Sequence, residues 1–258
     1  MTTPLDYQPL TCHACAQGAG LDFDFSMAFQ PIVDTSQQVI FAYEALVRGL
    51  SNEPAGQILS RVNQHNRYRF DQACRVRAIE WAAKLQMPTY LSINFLPNAV
   101  YRPETCIRAT IEASQAFGFP LERLIFEITE GEEVRDHTHL KNIIQEYKRQ
   151  GFLTAIDDFG AGYSGLNLLA DLETDLLKLD MALIRDIDQD PKRQSIVRAI
   201  AQVCQDLAIM PIAEGVETHA EWQTLADFGI DLFQGFYFAK PAFRQLGAIA
   251  PEVFATLL

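Results

Sequence analysis

Eight short apolar runs, separated by longer amphipathic stretches, are the feature that most constrains the fold of this 258-residue chain. Runs of this length predict buried strands, and apolar residues at helical spacing predict helices between them. Strand and helix alternating eight times, at this chain length, indicate a (β/α)₈ barrel. The predicted strands cover residues 27–33, 39–47, 90–95, 124–128, 152–156, 176–179, 210–213 and 232–238.

One connection departs from that pattern. Only residues 34–38 separate the first two predicted strands, whereas a crossover between parallel strands needs about a dozen residues or more. These two strands should therefore form an antiparallel hairpin. The predicted fold is a TIM-like α/β barrel in which the first strand runs antiparallel to the rest.

Three of the predicted helices are marked most clearly in the sequence. Two of them end before a glycine, Gly151 and Gly229, a residue that often follows the last turn of a helix. The third contains apolar residues at helical spacing that we expect to face the barrel. These residues are Ile196, Ile200, Val203, Cys204 and Leu207.

Polar side chains lie in or just after most of the predicted strands. In a barrel the carboxyl-terminal strand ends meet at one mouth, so residues distant in sequence become neighbours there. Each residue alone has an ordinary interpretation as a helix cap, an ion pair or a turn former. Together they predict a functional cluster. Its members are Glu44, Asn94, Glu127, Asp157, Asp158, Lys178, Glu214 and Gln234.

The adjacent acids Asp157 and Asp158 follow one of the apolar runs and precede a glycine-rich turn. Adjacent carboxylates repel each other and lose hydration when partly buried, so divalent cations would stabilise them. The alternative is a solvated turn in which the two acids only cap the next helix. The oxygen-rich ligand set of the whole cluster favours Mg²⁺ or Mn²⁺. Two such ions suit the hydrolysis of a phosphodiester.

The composition argues against several classes of partner. A formal net charge of −12 gives no long-range attraction to DNA, to RNA or to an anionic membrane. No apolar segment approaches the roughly eighteen residues of a membrane span, and the N-terminus lacks the pattern of a signal peptide. We therefore expect no membrane insertion and a cytoplasmic location.

The five cysteines are an odd number in a chain of this length and do not form the disulfide framework of a small secreted domain. Cys12, His13 and Cys15 could hold zinc, but no second Cys-x-x-Cys step supplies the remaining ligands. The alternative for this segment is a mobile tail. The remaining cysteines are interpreted as small core residues: Cys74, Cys106 and Cys204.

Seven short motifs follow one another along the chain. They are Glu44-Ala45-Leu46-Val47-Arg48, Asn94-Phe95-Leu96-Pro97, Glu127-Ile128-Thr129-Glu130, residues 157–163, Lys178-Leu179-Asp180, Ala213-Glu214-Gly215-Val216-Glu217-Thr218 and Gln234-Gly235. In this order they resemble the signature motifs of the EAL-domain family of bacterial cyclic di-GMP phosphodiesterases. The resemblance extends from about Phe25 to Pro241. It implies a TIM-like barrel with an antiparallel first strand, in agreement with the hairpin inferred above.

The resemblance also implies an activity and a role for each matching position. The activity is hydrolysis of cyclic di-GMP to linear pGpG with two Mg²⁺ or Mn²⁺ ions, and with Ca²⁺ as an inhibitor. The implied metal ligands are Glu44, Asn94, Glu127, Asp157, Asp158 and Glu214, with Asp157 shared between the ions. The implied catalytic residues are Lys178, which orients or deprotonates the attacking water, Gln234, Glu44, Asp157 and Asp158.

The same resemblance implies substrate contacts and a loop anchor. Arg48 would meet a phosphate, Leu46 and Glu217 would line the guanine or ribose side of the cleft, and Asp180 would also contact the substrate. Glu130 would anchor the glycine-rich loop that follows the fifth strand. Because that loop couples metal binding to dimerisation in relatives, we expect a homodimer.

The chain is expected to form one domain, residues 25–258, behind a tail of residues 1–24. This leaves no room for a sensory domain before the first strand, so regulation is expected from oligomerisation, a partner protein or expression. Two alternatives to the phosphodiesterase remain. One is a cyclic di-GMP receptor without activity on the same fold. The other is a metal-dependent hydrolase of a different phosphoester.

Overall fold

The computed structural model describes residues 21–97, 100, 107–129, 137–161 and 165–255. Nine strands lie in these ranges and form one sheet, and they include all eight of the predicted strands. The strands are β1 (Ser26–Asp34), β2 (Val39–Arg48), β3 (Tyr90–Phe95), β4 (Leu124–Thr129), β5 (Leu153–Phe159), β6 (Leu176–Leu179), β7 (Met210–Ala213), β8 (Leu232–Phe233) and β9 (Ala242–Phe243).

The first strand closes the sheet into a barrel. Strands β2 to β8 run parallel in chain order, and β1 lies between β8 and β2, antiparallel to both. The hairpin places Ser26 opposite Arg48 and Asp34 opposite Val39. The predicted TIM-like barrel with an antiparallel first strand is therefore confirmed. The short strand β9 pairs with β1 in addition.

In the described ranges, eight helices connect the parallel strands, and a ninth follows β9. They are α1 (Ala55–Leu59), α2 (Arg67–Lys84), α3 (Arg108–Phe117), α4 (His137–Arg149), α5 (Gly165–Asp171), α6 (Met181–Ile184), α7 (Pro191–Asp206), α8 (His219–Ala226) and α9 (Pro251–Ala255), with 3₁₀ turns at Leu121–Arg123 and Ile187–Gln189. Gly151 and Gly229, which follow α4 and α8, have φ angles of 89° and 83°. Both predicted helix ends are confirmed, because glycine adopts this left-handed conformation without steric strain.

The starts of two helices are determined by local hydrogen bonds. The Asp190 side chain accepts from the backbone N–H groups of Lys192 and Arg193 at 2.9 and 3.1 Å, at the start of α7. Thr218 and Glu221 form a capping box at the start of α8. Such caps satisfy N–H groups that have no partner inside the helix.

Helix α7 is present, but its barrel-facing side differs from the prediction. Cys204 is buried as expected, together with Val197 and Ala201. Ile196 and Leu207, which we expected to face the barrel, are 49% and 52% exposed. The predicted stripe is wrong because two sets of apolar residues recur at helical spacing on this helix. A periodic pattern cannot choose between two overlapping stripes.

Two predicted strands differ in extent from the observed ones. Strand β5 continues past its predicted end, so Asp157 and Asp158 lie within it rather than after it. Strand β8 has only two residues, so Gln234 follows it rather than lying within it. The chain turns there at Gly235, where a Cβ atom would lie 2.0 Å from the carbonyl oxygen of Val216.

The barrel interior is filled by an apolar layer and by a polar layer, which lies nearer the carboxyl-terminal ends of the parallel strands. The apolar layer consists of Ile32, Ala42, Ile125, Ala155, Leu176, Ile212 and Leu232. Side chains two residues apart on a strand point to the same side of the sheet. Two residues further along six of these segments lie Glu44, Glu127, Asp157, Lys178, Glu214 and Gln234. The strand period therefore brings this polar set to the same end of the barrel.

Several predicted features lie outside the described residues. They are Glu130, Cys12, His13, Cys15, Cys106 and residues 162–164 of the glycine-rich loop. Among the helices of the described ranges, none combines the length and the apolar composition that spanning a membrane requires.

Candidate active site

A buried lysine lies at the centre of the barrel mouth. Lys178 on β6 is 1% exposed. Its Nζ atom lies 2.7 Å from a carboxylate oxygen of Glu214, 2.8 Å from one of Asp157 and 2.9 Å from one of Glu127. A fourth carboxylate, that of Glu44, is 3.7 Å away. The structure thus brings five of the predicted site residues, from five separate parts of the chain, into one group.

Two amide side chains hold Glu44 in place. Asn94 and Gln234 each donate a hydrogen bond from the amide nitrogen to a different oxygen of Glu44, both at 2.8 Å. The Gln234 oxygen is buried and has no hydrogen-bond partner among the described residues. A buried acceptor without a partner is costly, so this oxygen is available to a water or to another donor bound at the mouth.

A bulge in β5 turns both adjacent acids toward the mouth. Consecutive strand residues normally point to opposite sides of a sheet, but the pairing of β5 with β6 shifts register between Ile156 and Phe159. Within the shift, Asp158 has a φ of 55°, a left-handed conformation that Asp adopts more readily than most residues. As a result, oxygen atoms of Asp157, Asp158 and Glu214 lie within 4.8 Å of one another.

Negative charge exceeds positive charge at this mouth. Burial disfavours the ammonium of Lys178, but its carboxylate neighbours outweigh burial and raise its pKa well above the ordinary value. Burial raises the pKa of Glu127 well above its ordinary value and that of Glu214 to about 8, although Lys178 opposes both shifts. Burial, with a contribution from Asp157, raises the pKa of Asp158 to about 6. One lysine therefore does not neutralise the group, and carboxylate and amide oxygens are the ligands that Mg²⁺ and Mn²⁺ prefer.

A cleft of about 250 Å³ opens beside the carboxylates. Three of the predicted substrate contacts, Leu46, Asp180 and Glu217, line its walls. The fourth, Arg48, is not among the lining residues in the described part of the chain. It lies half-buried on β2, and its guanidinium donates to the carbonyl of Val47 at 2.8 Å.

The wall that carries Glu217 is held by two further residues. Arg185 binds both carboxylate oxygens of Glu217 at 2.7 and 2.5 Å, and this pairing lowers the pKa of Glu217 below its ordinary value. Glu221 is buried and accepts from the backbone N–H groups of Glu217 at 2.8 Å and of Asp186 at 3.0 Å. The loops after β6 and β7 are therefore tied together beneath the cleft.

Further residues at this mouth were not predicted from the sequence. Ser92 is fully buried and donates to Glu127 at 2.6 Å. It lies two residues before Asn94 on the same strand, so the strand period could have identified it. Gln30 lines the cleft opposite Glu44 in the β1–β2 hairpin. Locating it requires the register of the hairpin, which the sequence pattern does not provide.

Comparison with solved structures identifies close structural relatives. A standalone versatile EAL protein from Vibrio cholerae O395, solved with c-di-GMP bound, is 58% identical over 91% of this chain and 99% of that chain, with a TM-score of 0.88. BlrP1 of Klebsiella pneumoniae, solved at pH 9.0 as a manganese/cy-diGMP complex, is 32% identical over 96% of this chain and 60% of that chain, with a TM-score of 0.83.

Curated relatives include proteins with different names. The blue light- and temperature-regulated antirepressor BluF of Escherichia coli K12 is 32% identical over 241 residues, covering 93% of this chain and 59% of BluF. The cyclic di-GMP phosphodiesterase PdeR of the same organism is 39% identical over 138 residues, covering 54% of this chain and 21% of PdeR. The chain thus spans less than two thirds of the length of either relative. Residues 16–241 match the EAL domain, and on this match the chain belongs to the EAL domain family.

Proposed function

We propose that this protein is a metal-dependent phosphodiesterase that hydrolyses cyclic di-GMP to linear pGpG and so lowers the level of this second messenger. The observation that carries the proposal is the excess of carboxylates around Lys178, beside a cleft walled by Glu217 and Leu46. The c-di-GMP in the V. cholerae structure and the name of PdeR, a cyclic di-GMP phosphodiesterase, support the choice of substrate and reaction.

Two Mg²⁺ or Mn²⁺ ions fit the donor set of the mouth. One would be held by Asp157, Asp158 and Glu214, whose oxygens are already grouped. The other would be held by Glu44, Asn94, Glu127 and the shared Asp157. Bound cations of this class neutralise phosphoryl oxygens and lower the pKa of a water. The manganese in the BlrP1 structure supports this class of metal.

The protein's own polar groups would orient the water and the phosphodiester. Lys178 lies within reach of the same carboxylates, so its Nζ would orient the attacking water or a phosphate oxygen by a hydrogen bond, or would take up the proton of the water. The unpartnered oxygen of Gln234 would accept from a water. In the reaction, the water oxygen would bond to phosphorus as the water gives up one proton, and the bond from phosphorus to the opposite ester oxygen would break as that oxygen takes up one proton.

The cleft walls would hold the rest of the nucleotide. Glu217, fixed by Arg185, would accept hydrogen bonds from the guanine or ribose side, next to Leu46. Asp180 would contact the substrate from the loop after β6. Arg48 would need to release the carbonyl of Val47 in order to reach a phosphate.

Direct turnover tests the proposal. Purified protein is incubated with cyclic di-GMP and Mn²⁺, and the nucleotides are separated by chromatography. We expect pGpG with Mn²⁺ or Mg²⁺ and none with a chelator. We also expect Ca²⁺ to inhibit, because its larger radius and looser coordination would misplace the water. Unchanged cyclic di-GMP at every metal concentration would contradict the assignment.

A second candidate is a receptor or interaction protein without turnover. The similarity to BluF, which is named an antirepressor, favours it. The ligand set argues against it, since this sequence has a carboxylate or amide side chain at every position that matches a metal ligand of the EAL-domain family. Binding of cyclic di-GMP without any pGpG would decide for the receptor. A homodimer, a cytoplasmic location and an anchoring role of Glu130 remain parts of the proposal.

A further inference from the structure

A second buried charged group lies behind the carboxylates, on the helix-facing side of β3 and β4. Asp71 and Arg75, one turn apart on α2, form an ion pair and are 4% and 1% exposed. Replacing a buried ion pair by apolar residues of similar volume often leaves stability unchanged or increases it. The presence of this pair is therefore not explained by stability alone.

Asp71 links α2 to the end of β3. Its second carboxylate oxygen accepts a hydrogen bond from the backbone N–H of Leu96 at 2.9 Å. Leu96 stands just beyond β3 and two residues after Asn94. The acid thereby fixes the backbone at the end of the strand that carries Asn94.

Arg75 links the same helix to both β3 and β4. Its guanidinium lies 5.7 Å from the ring centre of Phe95 and 5.6 Å from that of Phe126. It also donates to the hydroxyl of Tyr147 on α4 at 3.2 Å. The cation thus contacts one side chain on each of the two strands and a third on helix α4.

Those two rings are direct neighbours of metal-ligand candidates. Phe95 follows Asn94, and Phe126 precedes Glu127, while Asn94 and Glu127 are paired residues in the β3–β4 ladder. Because side chains alternate along a strand, the rings face the helices while the polar groups face the barrel. A shift of either ring would therefore move a ligand on the other side of the sheet.

We propose that Asp71 and Arg75 are positioning residues that set the relative placement of Asn94 and Glu127 for cation binding. The inference rests on the proposed function, because it assumes that these two side chains hold a metal ion. Hydrogen bonds to charged groups are directional and strong, so the pair specifies a backbone position that apolar packing would leave adjustable. Residues that orient metal ligands typically change metal affinity by about 10–100-fold when replaced.

The test separates positioning from stability. The double variant Asp71→Leu/Arg75→Met keeps apolar volume but removes both charges and the acceptor for Leu96. We expect a melting temperature near that of the wild type and a Mn²⁺ dissociation constant weakened about tenfold or more. Titration calorimetry with Mn²⁺ alone, on nucleotide-free protein, measures the affinity. The matched control is Val197→Ala, a buried change on α7 near β7, four strands away from β3 in the barrel.

Conservative variants keep the test decisive if the double variant does not fold. Asp71→Asn retains an oxygen that can accept from the Leu96 N–H, whereas Asp71→Ala does not. The Mn²⁺ affinity should therefore be weakened less in Asp71→Asn than in Asp71→Ala. Wild-type Mn²⁺ affinity in the folded double variant, or equal affinity in the two single variants, overturns the inference. So does a loss of affinity no larger than in Val197→Ala.

The same titration distinguishes the two proposals. If the wild type binds no Mn²⁺, the metal dependence in the proposed function fails and this inference fails with it. If the wild type binds Mn²⁺ and forms pGpG but the variants bind equally well, only the positioning role fails.

Discussion

The two faces of β3 and β4 carry buried charge of two different kinds. On the face toward the barrel, Lys178 lies among four carboxylates that it cannot neutralise. On the face toward the helices, Arg75 forms an ion pair with Asp71. Among the described residues, the first group therefore has more negative than positive charge, whereas the second pairs one acid with one base.

This difference separates a site that recruits ions from one that holds a position. Burial of charge is costly unless partners compensate it. The balanced pair finds its partners in the protein: the N–H of Leu96, the hydroxyl of Tyr147 and two aromatic rings. At the mouth, Ser92, Asn94 and Gln234 donate hydrogen bonds to the carboxylates but bring no positive charge, so the surplus is compensated best by cations. A buried charge imbalance is thus the more informative sign of a metal site.

The largest expected effect is the loss of turnover when one negative charge is removed from the carboxylates around Lys178. Asp157→Asn keeps the shape but weakens a ligand, so activity should fall by roughly 100-fold or more while the fold survives. The control is Asp175→Asn, an acid beside the other end of β6 that binds the Thr154 N–H at 2.8 Å. Nucleotide chromatography and metal content of both variants check this. Full turnover with unchanged metal content in Asp157→Asn would contradict the assignment of Asp157 as a metal ligand.

Next in size is the effect of removing the lysine. Lys178→Met should lower the rate on bound substrate by about 100-fold, with a smaller effect on cyclic di-GMP binding. Without metal the variant should also be less stable, because the carboxylates lose their cation, and Mn²⁺ should restore the stability. The control is Lys148→Met, which removes a half-exposed ion pair with Asp175. Single-turnover rates, binding titrations and thermal melts measure these effects. Loss of binding in proportion to rate would refute the catalytic role.

The balanced pair should respond differently. Arg75→Met leaves Asp71 buried without its cation, which should lower the free energy of unfolding by about 3–5 kcal/mol. Mn²⁺ should restore the stability of Lys178→Met but not that of Arg75→Met. In saturating Mn²⁺, Arg75→Met should therefore still be less stable than the wild type under the same conditions. The control is an ion pair on the surface of α4, in which Arg149 lies 2.7 Å from a carboxylate oxygen of Glu146. Arg149→Met should cost less than about 1 kcal/mol. Urea unfolding with and without Mn²⁺ measures both. If Mn²⁺ restored the stability of Arg75→Met, the distinction between the Asp71–Arg75 pair and the carboxylates around Lys178 would be wrong.

The smallest expected effect is on the pH dependence of the metal-free protein. Burial raises the pKa of Asp158 from 3.8 to about 6 and that of Glu214 from 4.5 to about 8. The folded state therefore binds more protons than the unfolded state between these values, so stability falls as pH rises from about 4 to 8. In chelator, we expect a melting temperature lower by roughly 5 °C at pH 8 than at pH 5.5. A dependence equally steep in Asp158→Asn/Glu214→Gln would show that other groups cause it.

The positions of the polar residues could be predicted better than their surroundings. Strand period and loop length place Glu44 and Lys178 at one end of the barrel, because both are local properties of the chain. The bulge that turns Asp158 toward the mouth was not predictable, since it depends on the pairing of β5 with β6. The buried face of α7 was predicted wrongly. Both of its apolar stripes have helical spacing, and only the packing against the barrel determines which of them is buried.

The sequence by itself determined the barrel, its antiparallel first strand and which residues gather at the mouth. Periodicity, the length of the first connection and the order of the motifs are sufficient for these. Only the tertiary structure decided which charges are compensated and by what. Two features depend on side chains from segments far apart in sequence: Arg75 lies behind Asn94 and Glu127, and the oxygen of Gln234 has no partner in the described part of the chain. Compensation of buried charge acts through space over a few ångströms, and only the folded chain defines those distances.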